Sequence, residues 1–230
     1  MNLKNKKVLV TGGTGMIGSE VVSLLLKKGA YVKVVSNEPQ GRLDQDVEFE
    51  QADLRNFEDC LRICKGMDVV FNMVGVKGSP KMAKERPASF FVPMLQFDTN
   101  MMEAARLCDV KWYLYTSSMG VYKNFDSVED EVWDTFPSEN DWFAGWAKRM
   151  GELQAEAYKI QYGWDKVSIV RPANVFGRKD NFDPETAMVI PSLISRIEGG
   201  ENPLKVWGDG SALRDFIFAG DVAKICWNLL

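Results

Sequence analysis

Apolar positions along this chain recur either every second residue or every third to fourth, and the changes between the two periods mark out its elements. Val8, Leu9 and Val10 form a β-branched run that ends at Thr11-Gly12-Gly13-Thr14-Gly15, after which Ile17, Val21, Leu24 and Leu25 fall at helical spacing. That order predicts a strand, a glycine turn and a helix. Further strands are expected over Tyr31–Ser36, Val47–Gln51, Val69–Met73, Lys111–Ser117 and Val167–Val170. Helices are expected over Asn56–Lys65, closed by Gly66, over Pro87–Cys108 with Asn100 turned to water, and over Ala144–Ile160. Strands alternating with helices predict an α/β fold, a doubly wound parallel sheet, over residues 1–171. Residues 172–230 are punctuated more irregularly, by Gly177, Pro191, Pro203 and Gly210 among others, and are expected to form a small lid that partly returns to the core.

The first turn carries the chemistry. Gly12 would permit a tight bend, Gly15 a close approach of backbone to a pyrophosphate, and Gly18 a helix lying close on the strand. The helix would then offer unpaired N–H groups and the positive end of its dipole to phosphates. A glycine turn that binds nothing is the alternative, and the strand before and helix after argue against it. Where the second strand closes, Ser36 and Asn37 stand in place of the acid that would accept from an NAD ribose, and Arg42 follows shortly. This favours NADP, with Glu38 on the ribose of NAD as the alternative. Val74-Gly75-Val76-Lys77-Gly78 forms a second glycine-bearing turn at a strand's C-terminal end, where open parallel sheets bind ligands, so Lys77 is a candidate contact.

Composition narrows the classes. A formal charge of −4 with no block of one sign excludes the basic field that nucleic acid needs. The polar start of the chain leaves no room for a signal peptide, and no apolar run is long enough to span a bilayer, so a cytoplasmic protein without a membrane partner is expected. The four cysteines are dispersed, with Cys60 and Cys64 one helical turn apart, and there is no histidine. No metal site is expected, the thiols read as reduced core residues, and histidine-based triads and general bases are excluded.

Several ordered segments resemble the extended short-chain dehydrogenase/reductase family of nucleotide-sugar epimerases, dehydratases and reductases. They are T-G-G-T-G-M-I-G at Thr11–Gly18, A-D-L-R at Ala52–Arg55, Asn100, T-S-S-M-G-V-Y at Thr116–Tyr122, G-W-A-K-R-M-G-E at Gly145–Glu152, R-P-A-N-V-F-G at Arg171–Gly177 and R-D-F-I-F at Arg214–Phe218. The run N-F-D-P-E-T-A-M-V-I-P-S-L-I looks most like the GDP-fucose synthase branch. The resemblance implies a Rossmann-like fold and a cofactor, NADP or NAD, held by Gly12, Thr14, Gly15, Met16, Ile17, Gly18, Asp53, Leu54, Val74, Lys148 and Arg171, with Asp53 on the adenine and Lys148 on the nicotinamide ribose. It implies a nucleotide-sugar substrate met by Lys77, Ser118, Asn174 and Arg214, with Ser118 bonded to the reacting oxygen and Arg214 clamping the diphosphate. Met119-Gly120 replaces the acidic pair of dehydratases, leaving epimerisation or ketone reduction. A homodimer through the helices around Asn100–Leu107 and Lys148–Ile160 is also implied.

Two departures stand out. The family's base is a tyrosine four residues before the lysine, a phenol whose pKa the neighbouring ammonium lowers; Ala144 occupies that position, after Phe143. Relative to the family this implies an inactive or impaired form, whether an engineered inactive variant made to trap a ligand, a natural cofactor-binding protein without turnover, or an enzyme in which another group, such as Ser118 or a water, takes the proton. Tyr122 would have to swing in to replace the phenol. Relatives also continue beyond the R-D-F segment, so the lid in residues 172–230 is expected to be incomplete. A non-catalytic NAD(P)-binding sensor or scaffold, and a reductase of small non-sugar ketones, are the rival functions.

Overall fold

The computed structural model describes residues 3–38, 43, 47–76, 80–123, 136–183, 186–206, 208–211 and 213–230. Six parallel strands, β1 Lys7–Thr11, β2 Tyr31–Ser36, β3 Glu48–Gln51, β4 Val69–Asn72, β5 Trp112–Thr116 and β6 Val167–Val170, lie in the order β3-β2-β1-β4-β5-β6. The helices are α1 Met16–Lys27, α2 Phe57–Cys64, α3 Pro80–Glu85, α4 Ala88–Leu107, α5 Trp142–Tyr162, α6 Val189–Glu198 and α7 Ala219–Asn228. A small parallel pair, β7 Asn174–Phe176 and β8 Phe216–Phe218, stands apart from the main sheet.

The period of two seen in the strands divides the core. Val8, Val10, Val34, Val69, Phe71 and Leu114 point to one face, which Val21, Val22 and Leu25 of α1 and Val222, Ala223 and Cys226 of α7 cover. Leu9, Val35, Val70, Tyr113 and Tyr115 point to the other, under α2, α4 and α5. Each such large apolar side chain, once buried, contributes about 1.5–3 kcal/mol, so a charged group on either face must be paired to be tolerated.

Local signals set the ends of the helices. Asn56 caps α2 by accepting from the Glu58 N–H at 3.1 Å, Glu58 and Asp59 complement the dipole in the first turn, and Gly66 follows at φ +76°. Asn100 differs from expectation. Its side chain does not face water but donates to the carbonyls of Leu54 and Arg55, at 3.2 and 3.0 Å, tying α4 to the loop after β3. These two bonds to the loop outweigh the mild helix penalty of asparagine; the Leu54 carbonyl also accepts from the Cys60 thiol at 3.2 Å. All four cysteines are free thiols, with Cys60, Cys64 and Cys226 buried, and burial pushes Cys60 and Cys226 up to about 12.

Candidate active site

Strand order reverses between β1 and β4, and the C-terminal edge of the sheet at such a reversal is where open α/β folds bind ligands. The glycine turn occupies that edge. Gly12 has φ +68°, and a Cβ there would lie 2.9 Å from the Met73 carbonyl oxygen; a Cβ on Gly18 would lie 2.2 Å from the Gly12 carbonyl oxygen. The helix therefore rests directly on the turn. Gly15 precedes α1 without a side-chain cap, and no acid stands in the first turn, so the helix start is open to an anion. These features fit the diphosphate of a dinucleotide. The Thr14 hydroxyl donates to Ser36 Oγ at 2.9 Å, which also accepts from the Glu38 N–H at 3.1 Å. Ser36 is thus buried and braces the turn through bonds it accepts, and Asn37 is the exposed residue at the close of β2.

At the end of β3, Asp53 is held by the Arg55 guanidinium, whose Nε lies 2.9 and 3.0 Å from the two carboxylate oxygens, and this keeps its pKa below the usual value. Leu54 beside it is buried. Arg42 and Lys77 lie outside the described residues.

No motif in the sequence points to the feature at the centre of the site. Asp98 of α4, 1% exposed, gathers three donors: Lys148 Nζ at 2.9 Å, Tyr115 Oη at 3.1 Å and Asn72 Nδ2 at 3.1 Å. Asn72 in turn accepts from the Thr11 hydroxyl at 2.7 Å, linking the cluster to the end of β1. Burial pushes the Asp98 carboxyl up, while the Lys148 ammonium and the hydrogen bonds draw it down. Lys148 also reaches the Val74 carbonyl at 3.4 Å. One weaker signal for Asp98 does exist: it falls on the stripe of Met94, Phe97, Met101 and Ala105, the buried face of α4.

Ser118 ends the strand region and caps a 3₁₀ turn over residues 119–121, its Oγ accepting from the Gly120 N–H at 3.1 Å, which leaves its own proton to donate. Ala144, in the first turn of α5, packs against the core beneath α4. Phe143 is exposed and edges onto Phe91. Two nearby phenols are committed elsewhere. Tyr115 is fully buried, and burial with the Asp98 charge raises its pKa well above the usual tyrosine value. Tyr122 accepts from Arg171 Nη1 at 2.8 Å with the guanidinium over its ring. Arg171 also grips Glu152, itself 1% exposed, through Nε and Nη2 at 2.9 and 2.8 Å. The fork of Arg171 therefore fastens β6 to α5 and to the turn after β5.

Asn174 Nδ2 donates to the Asp215 carbonyl at 2.9 Å and lies 3.9 Å from Met119 Sδ, placing β7 beside the Ser118 turn. Gly177 adjoins Met16: a Cβ there would stand 3.2 Å from Met16 Cγ. Ile17, next in α1, is partly buried against the core. Arg214 is exposed and donates to the Leu213 carbonyl at 2.7 Å. Trp142 and Trp146 pack on each other and on Phe136, with ring centroids 6.0 Å apart in each case.

A parallel sheet with an open glycine turn at its switch point defines a Rossmann-like nucleotide-binding protein. The chain belongs to the NAD dependent epimerase/dehydratase family, whose model matches residues 8–230. GDP-L-fucose synthase 1 of Arabidopsis thaliana is 32% identical over 239 residues, spanning 100% of this chain and 70% of that protein. Among solved structures, a UDP-N-acetylglucosamine 4-epimerase from Methanobrevibacter ruminantium M1, in complex with UDP-N-acetylmuramic acid, superposes with a TM-score of 0.84 at 28% identity, covering 96% of this chain and 71% of that one. The UDP-glucose 4-epimerase of Thermus thermophilus, complexed with NAD, gives a TM-score of 0.77 at 27% identity, covering 97% and 74%. The family resemblance carried by the motifs is borne out. Among the described residues no helix is long and apolar enough to cross a membrane.

Proposed function

We propose that this chain is an NAD(P)-dependent epimerase or reductase that acts on a nucleotide sugar by hydride transfer at a sugar carbon. The observation that carries this reading is that two adjacent residues join the halves of the site: the glycine turn rests on the Met73 carbonyl, and Lys148 reaches the carbonyl of Val74. A bound dinucleotide would supply a hydride acceptor or donor. The chain's residues do the rest. The turn from Gly12 to Gly18 holds the diphosphate, Lys148 orients the nicotinamide ribose, and Ser118 donates to the reacting sugar oxygen. Arg214 meets the substrate diphosphate, a task suited to its planar fork, and Asn174 borders the sugar. The absence of an acid at the close of β2 favours NADP over NAD.

Alanine at position 144 closes the phenol route for the proton, and Tyr115 and Tyr122 are tied into the core. That observation favours a second reading, a protein that binds the cofactor without turnover. The two are separated by supplying NADP or NAD with a panel of nucleotide sugars to the wild type and to Ala144→Tyr, and following both reduced nicotinamide and, for redox-neutral epimerisation, the sugar products by chromatography. Turnover by either protein is the expected result. If both bind cofactor and neither turns over any sugar, the enzyme reading fails; turnover of small ketones that survives loss of Arg214 would point to a non-sugar reductase. A cytoplasmic homodimer completes the proposal, with Leu107, Leu153 and Ile160 providing exposed apolar surface on α4 and α5 for light scattering to test.

A further inference from the structure

A carboxyl group lies against the turn that carries Ser118. Asp141 immediately precedes α5, three residues before Ala144. A Cβ built on Gly120 would stand 2.8 Å from Asp141 Cβ and 3.2 Å from its Oδ2, so the space of a side chain at position 120 is taken by this carboxyl. The backbone N–H of the same Gly120 is the donor to Ser118 Oγ, at 3.1 Å. The hydroxyl and the carboxyl therefore flank one residue. The approach is close because a Cβ on Gly145 would meet the Gly120 carbonyl oxygen at 2.5 Å, which brings the start of α5 directly onto the turn.

An aspartate before the first residue of a helix ordinarily accepts from the N–H groups of the first turn. Asp141 makes no such cap, and among the described residues its carboxylate has neither an ion pair nor a hydrogen bond. The residue as a whole is exposed, while packing of its carboxyl end against the turn costs hydration and raises its pKa. The turn over residues 119–121 carries no titratable side chain; Glu139 precedes Asp141 in its own turn, and Lys148 and Arg149 follow two turns along α5. Among the described residues, a carboxyl with no hydrogen bond or ion pair thus lies against the turn that carries the hydroxyl assigned to the reacting oxygen.

We propose that Asp141 is the acid/base group of this site, exchanging a proton with the sugar oxygen to which Ser118 donates. The proposal rests on the nucleotide-sugar reading above. In the oxidising direction the sugar C–H bond breaks and its electron pair leaves as hydride to the bound nicotinamide dinucleotide, while the O–H proton passes to the Asp141 carboxylate as the C=O bond forms. In the reducing direction hydride from the reduced dinucleotide forms the C–H bond, and protonated Asp141 returns the proton to oxygen. A carboxyl raised toward the working pH suits both directions.

The test uses the wild type, Asp141→Asn, Asp141→Glu and Ala144→Tyr with NADP or NAD, and with GDP-mannose and UDP-glucose as probes. The wild type is expected to turn over a probe, and Asp141→Asn to lose roughly 10²–10⁴-fold in kcat at little-changed KM. The acidic limb of the oxidation rate profile should vanish in Asp141→Asn and return in Asp141→Glu. A readout independent of turnover is the carboxyl carbon resonance that disappears in Asp141→Asn: it should titrate above the ordinary value of 3.8 and shift when a probe binds. Wild-type kcat in Asp141→Asn, or a resonance indifferent to bound probe, overturns the role of Asp141. So does an idle wild type beside an active Ala144→Tyr, which leaves the nucleotide-sugar reading standing. If neither protein binds or turns over a probe, that reading falls and takes this proposal with it.

Discussion

Replacing Asp98 with alanine removes the anion from a cluster built to hold a buried cation. Lys148 is 7% exposed, and after the change its remaining acceptor among the described residues is the Val74 carbonyl at 3.4 Å. Breaking one side of a buried pair costs about 3–5 kcal/mol, because the surviving charge is left in a medium that cannot hydrate it. Tyr115 and Asn72 lose an acceptor as well, which holds the expected loss toward the upper end of that range. With a urea slope of about 2–3 kcal/mol per molar for a chain of this size, the unfolding midpoint should fall by roughly 1–2.5 M, with the slope unchanged. Replacing both partners, Asp98→Leu with Lys148→Met, should recover at least half of the loss, since apolar groups of similar volume carry no desolvation penalty. The single change Lys148→Met adds a check of sign. It removes the main influence that lowers the Asp98 pKa against burial, so the folded state holds that proton more tightly than the unfolded chain does. Its stability should then be greatest below the ordinary value of 3.8 and decline as pH rises above it toward the folded pKa. An Asp98→Ala protein within about 1 kcal/mol of wild type, or a double variant no better than the sum of its parts, would refute the view that this pair holds Lys148 in place.

Gly18→Ala places a methyl 2.2 Å from the Gly12 carbonyl oxygen, so the helix must lift from the turn; affinity for NADP, followed by calorimetric titration, should fall by about tenfold or more while the sheet stays folded. Asp109 follows α4 at φ +53° and is held at about 2 by the ammonium groups of Lys111 and Lys166. Its depressed folded pKa stabilises the protein above the ordinary 3.8 and ceases to do so as pH falls toward about 2. Asparagine also tolerates this backbone conformation, so the gap in melting temperature between wild type and Asp109→Asn should narrow as pH drops through that window.

The strands and the first turn are legible in the sequence because their signals are local. Val8 to Gly18 encodes strand, bend and helix within eleven consecutive positions, and the observed φ of Gly12 and the tight seat of Gly18 follow from it. The polar interior is not legible, for it depends on residues far apart in the chain. Asp98 and Lys148 are 50 positions apart, and Arg171 and Glu152 belong to different elements; a single carboxylate within a helix carries no local mark that separates a solvated acid from a buried one. Its place on the apolar stripe of α4 is the available clue. Asn100 departs from expectation for the same reason, since its partners at Leu54 and Arg55, in the loop leading to α2, become neighbours only when α4 docks beside α2. Ser36 closes β2 as its position suggests, but the bond it accepts from Thr14 joins the end of that strand to the glycine turn, which touch only in the folded chain.

The outer layer over the first strand is shared between α1 and α7, whose Val222, Ala223 and Cys226 close over the side of the sheet that bears Val8 and Val10. During synthesis α7's share of that apolar face stays uncovered until residues 219–228 have left the ribosome, so nascent chains are adhesive there until then. Trimming α7 away would make that transient hazard permanent, and the shortened polypeptide would be expected to clump instead of persisting as a soluble nucleotide-binding fragment.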